Sequence, residues 1–215
     1  MKAKIISRSV WILSGVSLLT DMASEMLYPV MPLYLREIGF GMLAIGLLEG
    51  LAECIVGLSK GYFGQQSDRT GRRLPFVRAG YLLSALAKPL TVLFVQPLWV
   101  FFIRSAERLG KGIRTAPRDA LLAATATPST RARVFSFHRG WDTAGAMLGP
   151  LLALLWLNKY PASYRPLFYF ALLPGLLAVL LLFLIREKRR PASEGTKSSG
   201  SFFSFFSYWK IAGAS

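Results

Sequence analysis

The chain has 215 residues, 53% of them hydrophobic, and a formal net charge of +15; its mean hydropathy is +0.42. A soluble domain is less apolar than this, and a nucleic-acid binder carries its basic residues on soluble elements, whereas here they fall in short clusters between long apolar runs, so no nucleic-acid partner is expected. With Cys54 the only cysteine and His138 the only histidine, the chain by itself builds neither a disulfide framework nor a thiolate or imidazole metal cluster.

About 20 mostly apolar residues cross a bilayer as a helix. In chain order the predicted spans are 10–34, 41–64, 74–95, 98–115, 134–157 and 164–185. The basic start (Lys2, Lys4, Arg8) and the apolar run behind it are similar to a signal peptide, but no clean cleavage pattern follows and five more spans do. The sixth span has no charge from Leu167 to Ile185. Basic residues recur at alternate connections. Arg69, Arg72 and Arg73 lie between the second and third spans; Lys111, Arg114, Arg118, Arg131 and Arg133 lie between the fourth and fifth; Arg186, Lys188, Arg189 and Arg190 follow the sixth. The other side has Arg36, Lys159 and Arg165. That bias predicts a cytoplasmic N-terminus. Trp11, Trp99 and Trp156 stand near span ends as interfacial aromatics; Trp141 does not. The expected organisation is all-α: a six-helix transmembrane domain over 1–186, a charged then Ser/Gly-rich cytoplasmic linker over 187–201, and the start of an incomplete seventh helix over 202–215.

Charges inside spans need partners or a water-filled cavity. Asp21 and Glu25, Glu49 and Glu53, and Arg104 and Arg108 are each four apart and share a helix face. Glu25 and Arg104 are at matched depth, with Asp21, Glu53, Glu107 and Arg108 nearer the midplane. If these faces meet, the acids and arginines form a network able to exchange protons, since burial and a neighbouring arginine act oppositely on a carboxyl group. Purely structural pairing is the alternative, and Glu49 and Glu53 could instead face a second bundle. Asp142, two turns into the fifth span, is a further candidate. Lys88 beside Pro89 reads as a snorkelling residue at a kink, and His138 and Arg139 as anchors. Tyr28 and Trp141 are candidates to line a cavity for an amphipathic substrate.

The segment Gly64-Gln65-Gln66-Ser67-Asp68-Arg69-Thr70-Gly71-Arg72-Arg73 matches G-x-x-[SA]-D-R-x-G-R-[RK]. It resembles the signature loop of the major facilitator superfamily. Two glycines would allow a tight turn, and Asp68 would hold neighbouring arginines, Arg72 first. The resemblance further implies that Asp68 contacts a second half and steadies an outward-open state. Gly145-x-x-x-Gly149-Pro150 resembles the superfamily's antiporter signature, with Ala153 where a glycine is usual; generic small-residue packing and a proline bend are the alternative. Arg104 resembles the superfamily's intramembrane arginine, with Arg108 where a glycine is expected. The string Glu107 to Gly112, with Asp21 to Pro29 and Arg114 to Asp119, looks like a bacterial efflux subgroup.

The resemblance implies two six-helix halves around a central pathway, of which this chain supplies one. The partner is then a C-terminal half that follows, which the broken seventh helix favours, or a second copy. The implied setting is a lipid bilayer, the bacterial inner membrane. The implied activity is alternating-access transport of a small molecule. Export of a small organic or amphipathic compound against proton entry comes first, with the proton gradient in place of any cofactor. Symport or facilitated uptake, and a non-transporting truncated membrane protein, are the alternatives. An enzyme is not expected, because no nucleophile–base set or phosphate-cradling loop is visible.

Overall fold

The computed structural model describes residues 6–185 and Glu187. The expected linker (Glu187 apart) and seventh helix lie outside the described residues. Among those residues the chain forms eight helical segments: α1 (Arg8–Leu27), α2 (Val30–Glu37), α3 (Met42–Thr70), α4 (Leu74–Thr91), α5 (Pro97–Ala124), α6 (Arg131–Lys159), α7 (Arg165–Phe170) and α8 (Leu172–Leu182). They make six traverses, because α1 with α2 forms the first and α7 with α8 the sixth. Both interruptions have a proline cause. Pro29 and Pro174 lack the N–H that would continue the ladder, and the breaks fall at Tyr28–Pro29 and Ala171. Ser7 starts α1, its hydroxyl accepting from the Val10 N–H at 3.3 Å.

Hydropathy marks where a helix is apolar, not where it ends. α3 continues past Gly64 to Thr70, and α5 continues past Thr115 to Ala124. The sequence reading placed Lys111, Arg114 and Arg118 at a connection; all three lie within α5. Three traverses, Arg8–Glu37, Met42–Thr70 and Arg165–Leu182, are long and apolar enough to cross a membrane.

The bundle turns its leucines outward and its charges inward. Leu43, Leu98, Leu155 and Leu180 are more than half exposed, while Lys88, Arg104, Glu107 and Arg108 are buried. That is the reverse of a water-soluble protein and suits a lipid surround. One apolar cluster, with Tyr34, Leu35, Val100 and Phe168, closes one end. A second, with Val10, Val77, Leu122 and Leu182, closes the other. The buried charges occupy the band between them. At the first end, Trp99 donates its indole N–H to the Leu90 carbonyl at 2.7 Å and Trp156 to the Ser163 carbonyl at 2.9 Å.

Small residues set the helix spacing. A Cβ on Gly149 would stand 2.5 Å from the Met22 carbonyl oxygen, and one on Gly145 would strike the Leu18 backbone, so α6 lies directly on α1. Pro150 sits inside α6 without ending it. A Cβ on Gly110 would stand 2.6 Å from the Ser84 hydroxyl, so α5 and α4 are equally close. Backbone-to-backbone approach of this kind is a packing mode of membrane helices.

Candidate functional site

Two charged groups occupy the central band. The first joins α3, α4 and α5. Arg104 holds Glu49 with two parallel bonds, Nε to Oε1 at 2.9 Å and Nη2 to Oε2 at 3.0 Å, and reaches Glu107 through Nη1 at 2.5 Å. Arg108 contacts Glu49 at 3.3 Å and Glu53 at 2.9 Å. Lys88 stands 3.8 Å from Glu107 and donates to the Ser84 carbonyl at 3.1 Å. Three cations thus face three carboxylates, which balances the charge of a cluster whose cations are buried. The ion-paired partners of Arg104 are therefore Glu49 and Glu107, and Glu25 is not among them. Lys88 is 1% exposed, so it is a buried member of the network and does not snorkel.

The second group lies between α1, α5 and α6, around a cavity of about 320 Å³. Asp21 and Glu25 project from α1, Lys111, Arg114 and Arg118 from α5, and Arg139 and Asp142 from α6. Asp142 bonds the Ser17 hydroxyl and Arg139, the latter at 2.9 Å, with Arg118 at 3.9 Å. Arg118 also donates to Ser17 at 3.2 Å and pairs with Asp119 at 3.1 Å. The Asp21 carboxyl faces that of Asp142, not Arg108. Glu25 lines this cavity and also a pocket of about 20 Å³ beside Arg104, Glu107, Arg108 and Tyr28. Glu25 of α1 therefore shares a cavity wall with Arg104 and Arg108 of α5 without pairing with either, and Asp21 lines only the larger cavity. Trp141 packs edge-on against Trp11, ring centroids 5.5 Å apart.

Arg114, Arg118, Ser84 and Ser17 are the site residues that sequence reasoning passed over. Arg114 is 4% exposed; its Nη1 donates to Ser84 at 2.7 Å and its guanidinium lies 4.5 Å from the Tyr81 ring centroid. A signal was present. Arg104, Glu107, Arg108, Lys111, Arg114 and Arg118 follow one another at helical spacing, a single polar stripe on α5.

The signature segment is helical almost to its end. Gly71, at φ 61°, terminates α3 in the left-handed region. Gly64 makes no turn; its hydrogen lets α3 approach α5, since a Cβ there would be 2.9 Å from that of Ala116. Asp68 pairs with Arg73 at 2.8 Å, replacing the expected Arg72. The geometric reason is that Arg73 begins the next helix. Its backbone N–H and that of Leu74 each donate to Glu187 at 2.9 Å, which fixes Arg73 opposite Asp68. Arg69 and Arg72 are exposed.

A six-traverse bundle with lipid-facing leucines, a buried charge network and a polar cavity at mid-depth has the architecture of one half of a membrane transporter. The family model described as Major Facilitator Superfamily matches residues 13–214. An uncharacterized MFS-type transporter of Methanocaldococcus jannaschii is 38% identical over 188 residues, covering 87% of this chain and 47% of that protein. The multidrug resistance protein MdtH of Photorhabdus laumondii is 32% identical over 152 residues, covering 69% of this chain and 37% of that protein. Among solved structures, an inward-facing, unoccupied bacterial homologue of the human lysosomal transporter Spinster superposes with a TM-score of 0.68. It has 16% identity and covers 98% of this chain and 50% of that one. The chain belongs to the Major Facilitator Superfamily and has its N-terminal half fold. It spans about half the length of the curated relatives it matches.

Proposed function

We propose that this chain forms one half of a proton-coupled secondary transporter that exports a small organic or amphipathic compound by alternating access. The observation carrying this reading is the mid-depth cavity into which carboxylates from α1 and α6 and cations from α5 converge. Charges at such depth serve ion or substrate pathways when they border water. Relatives named for multidrug resistance support export. The second half of the pathway is a C-terminal six-helix bundle or a second copy, in an inner membrane with the N-terminus cytoplasmic, a placement supported by the basic connections.

An arginine keeps its proton, so the transported proton resides on an acid. Asp21 is the first seat, because it lines the cavity and makes no ion pair among the described residues. Glu25, which makes no ion pair among the described residues, is the second. Reconstitution in liposomes with an imposed pH difference tests the reading, with internal pH followed by dye. Asp21→Asn and Glu25→Gln are expected to leave downhill substrate flux but abolish its link to the proton gradient. If both variants keep gradient-driven transport with unchanged pH dependence, these acids are structural and the coupling group lies elsewhere. A second reading, symport, is favoured by Lys111 and Arg114, cavity cations without an ion-paired carboxylate among the described residues, because an anion and a proton bound in one cavity attract each other. Substrate accumulation down the proton gradient, in place of expulsion, selects it.

A further inference from the structure

We infer that Arg114 and Lys111 form a docking site for an anionic group, a carboxylate or phosphate, on the transported molecule. The inference rests on the transporter reading and adds the chemical class of the cargo. Four cations line the larger cavity, and they are not equivalent. Arg118 and Arg139 are neutralised by Asp119 and Asp142. Among the described residues, Lys111 and Arg114 have no carboxylate within the 4.0 Å of an ion pair.

Arg114 is the informative one. It is 4% exposed and stands at the border of both cavities. A guanidinium offers five donors in a planar fork. Among the described residues its one side-chain hydrogen bond is from Nη1 to Ser84, and Tyr81 covers one face. A buried charge is ordinarily matched by a counterion. The neighbouring network shows how fully this bundle does so: Arg104 holds two carboxylates there. An arginine held rigidly by Ser84 and Tyr81, with donors left over at a cavity wall, is arranged for a counterion that arrives from outside. Lys111 lies three residues earlier on the same face of α5, exposed and on the wall of both cavities. The pair combines a fork suited to an oxyanion's two oxygens with a mobile point charge.

The acids around the cavity do not remove this bias. Asp142 is already engaged by Arg139 and Ser17. Asp21, whose charge reaches Arg114, is turned to Asp142 and makes no ion pair with Arg114. Glu25 likewise lines the cavity without an ion pair among the described residues, and it makes a signed test possible: an anionic cargo is repelled by Glu25, a cationic one is held by it.

The 215-residue chain in phosphatidylcholine nanodiscs is titrated calorimetrically with dodecyl phosphate, dodecyltrimethylammonium and inorganic phosphate. Dodecyl phosphate is expected to bind and the cationic amphiphile to bind at least about tenfold more weakly, the equivalent of one charge-assisted contact. Lys111→Gln, at an exposed position that leaves folding alone, should weaken dodecyl phosphate about tenfold, and Arg114→Lys should do the same. Glu25→Gln should tighten it, and Lys159→Gln, at the far end of α6, should leave it unchanged. Inorganic phosphate binding as tightly as dodecyl phosphate identifies a site for the anion alone; competition by phosphatidylglycerol added to the disc identifies a lipid headgroup as its source. Both support the site. Equal binding of the two amphiphiles, or unchanged dodecyl phosphate affinity in both Lys111→Gln and Arg114→Lys, overturns it. Binding is read without transport, so a chain that binds the probe but moves no protons refutes the coupling and keeps the site.

Discussion

Replacing Glu107 by Gln removes the one carboxylate that Lys88 contacts among the described residues. Lys88 is 1% exposed and 3.8 Å from the Glu107 carboxylate. At an effective dielectric near 20 the attraction across that distance is about 4 kcal/mol, and stripping one partner from a buried pair costs about 3–5 kcal/mol. Arg104 also loses a contact made at 2.5 Å but keeps Glu49. Glu53→Gln is the control. Its carboxylate is 58% exposed although it lies 2.9 Å from Arg108, and a pair this open to solvent contributes under about 1 kcal/mol. Thermal unfolding in detergent should therefore show Glu107→Gln melting about 6–20 °C lower, and Glu53→Gln within about 4 °C of the parent. Glu107→Gln with Lys88→Met removes both charges and should recover part of the loss. Equal melting of Glu107→Gln and Glu53→Gln would show that burial of the network contributes nothing.

Further expectations follow from other positions. Gly145→Ala places a methyl on the Leu18 backbone and should separate α1 from α6, seen as a lowered melting temperature, whereas Gly140→Ala, with open space around it, should be neutral. Asp68→Asn breaks an exposed pair with Arg73; membrane insertion and melting should persist, with under about 1 kcal/mol lost, while transport by the proposed full transporter should slow, and a wild-type rate would deny the loop the gating role that its resemblance implies. In a Cys54→Ser background, an impermeant thiol reagent outside cells should label Pro161→Cys and spare Ser129→Cys; labelling of Ser129→Cys would reverse the proposed topology.

The architecture was legible because lipid exposure writes itself into sequence as apolar runs, and alternate basic connections give the crossing order. Helix ends were less legible. Gln65 to Thr70 and Ala116 to Ala124 are polar or mixed, so hydropathy stops while hydrogen bonding continues. Spacing identified the acidic and basic faces of α1, α3 and α5, but it cannot say which faces meet. Arg104 turned to Glu49 because α3, not α1, packs along that stretch of α5. Asp21 and Asp142 meet because Gly145 and Gly149 bring α6 onto α1, a contact between residues far apart in the chain. Arg114 was missed because a charge near a predicted boundary reads as a loop residue until the helix is known to continue.

The crossing of α4 and α5 constrains how such a bundle can move. Ser84 donates to the Glu107 carbonyl at 3.1 Å and accepts from Arg114, and Gly80 and Gly110 leave no side chain between the two backbones. Helices held at that separation have little slack to slide, so they are expected to turn together as one plate. Lys88 and Glu107 ride on that plate with their separation fixed. The rocking that the proposed mechanism requires would then leave their pairing untouched and change only the links leaving the plate: Arg104 and Arg108 to the acids of α3, and Arg118 to Ser17 and Asp142. In the proposed two-half transporter, spin labels on α4 and α5 should keep one distance through the cycle, while the distance from either helix to α1 changes.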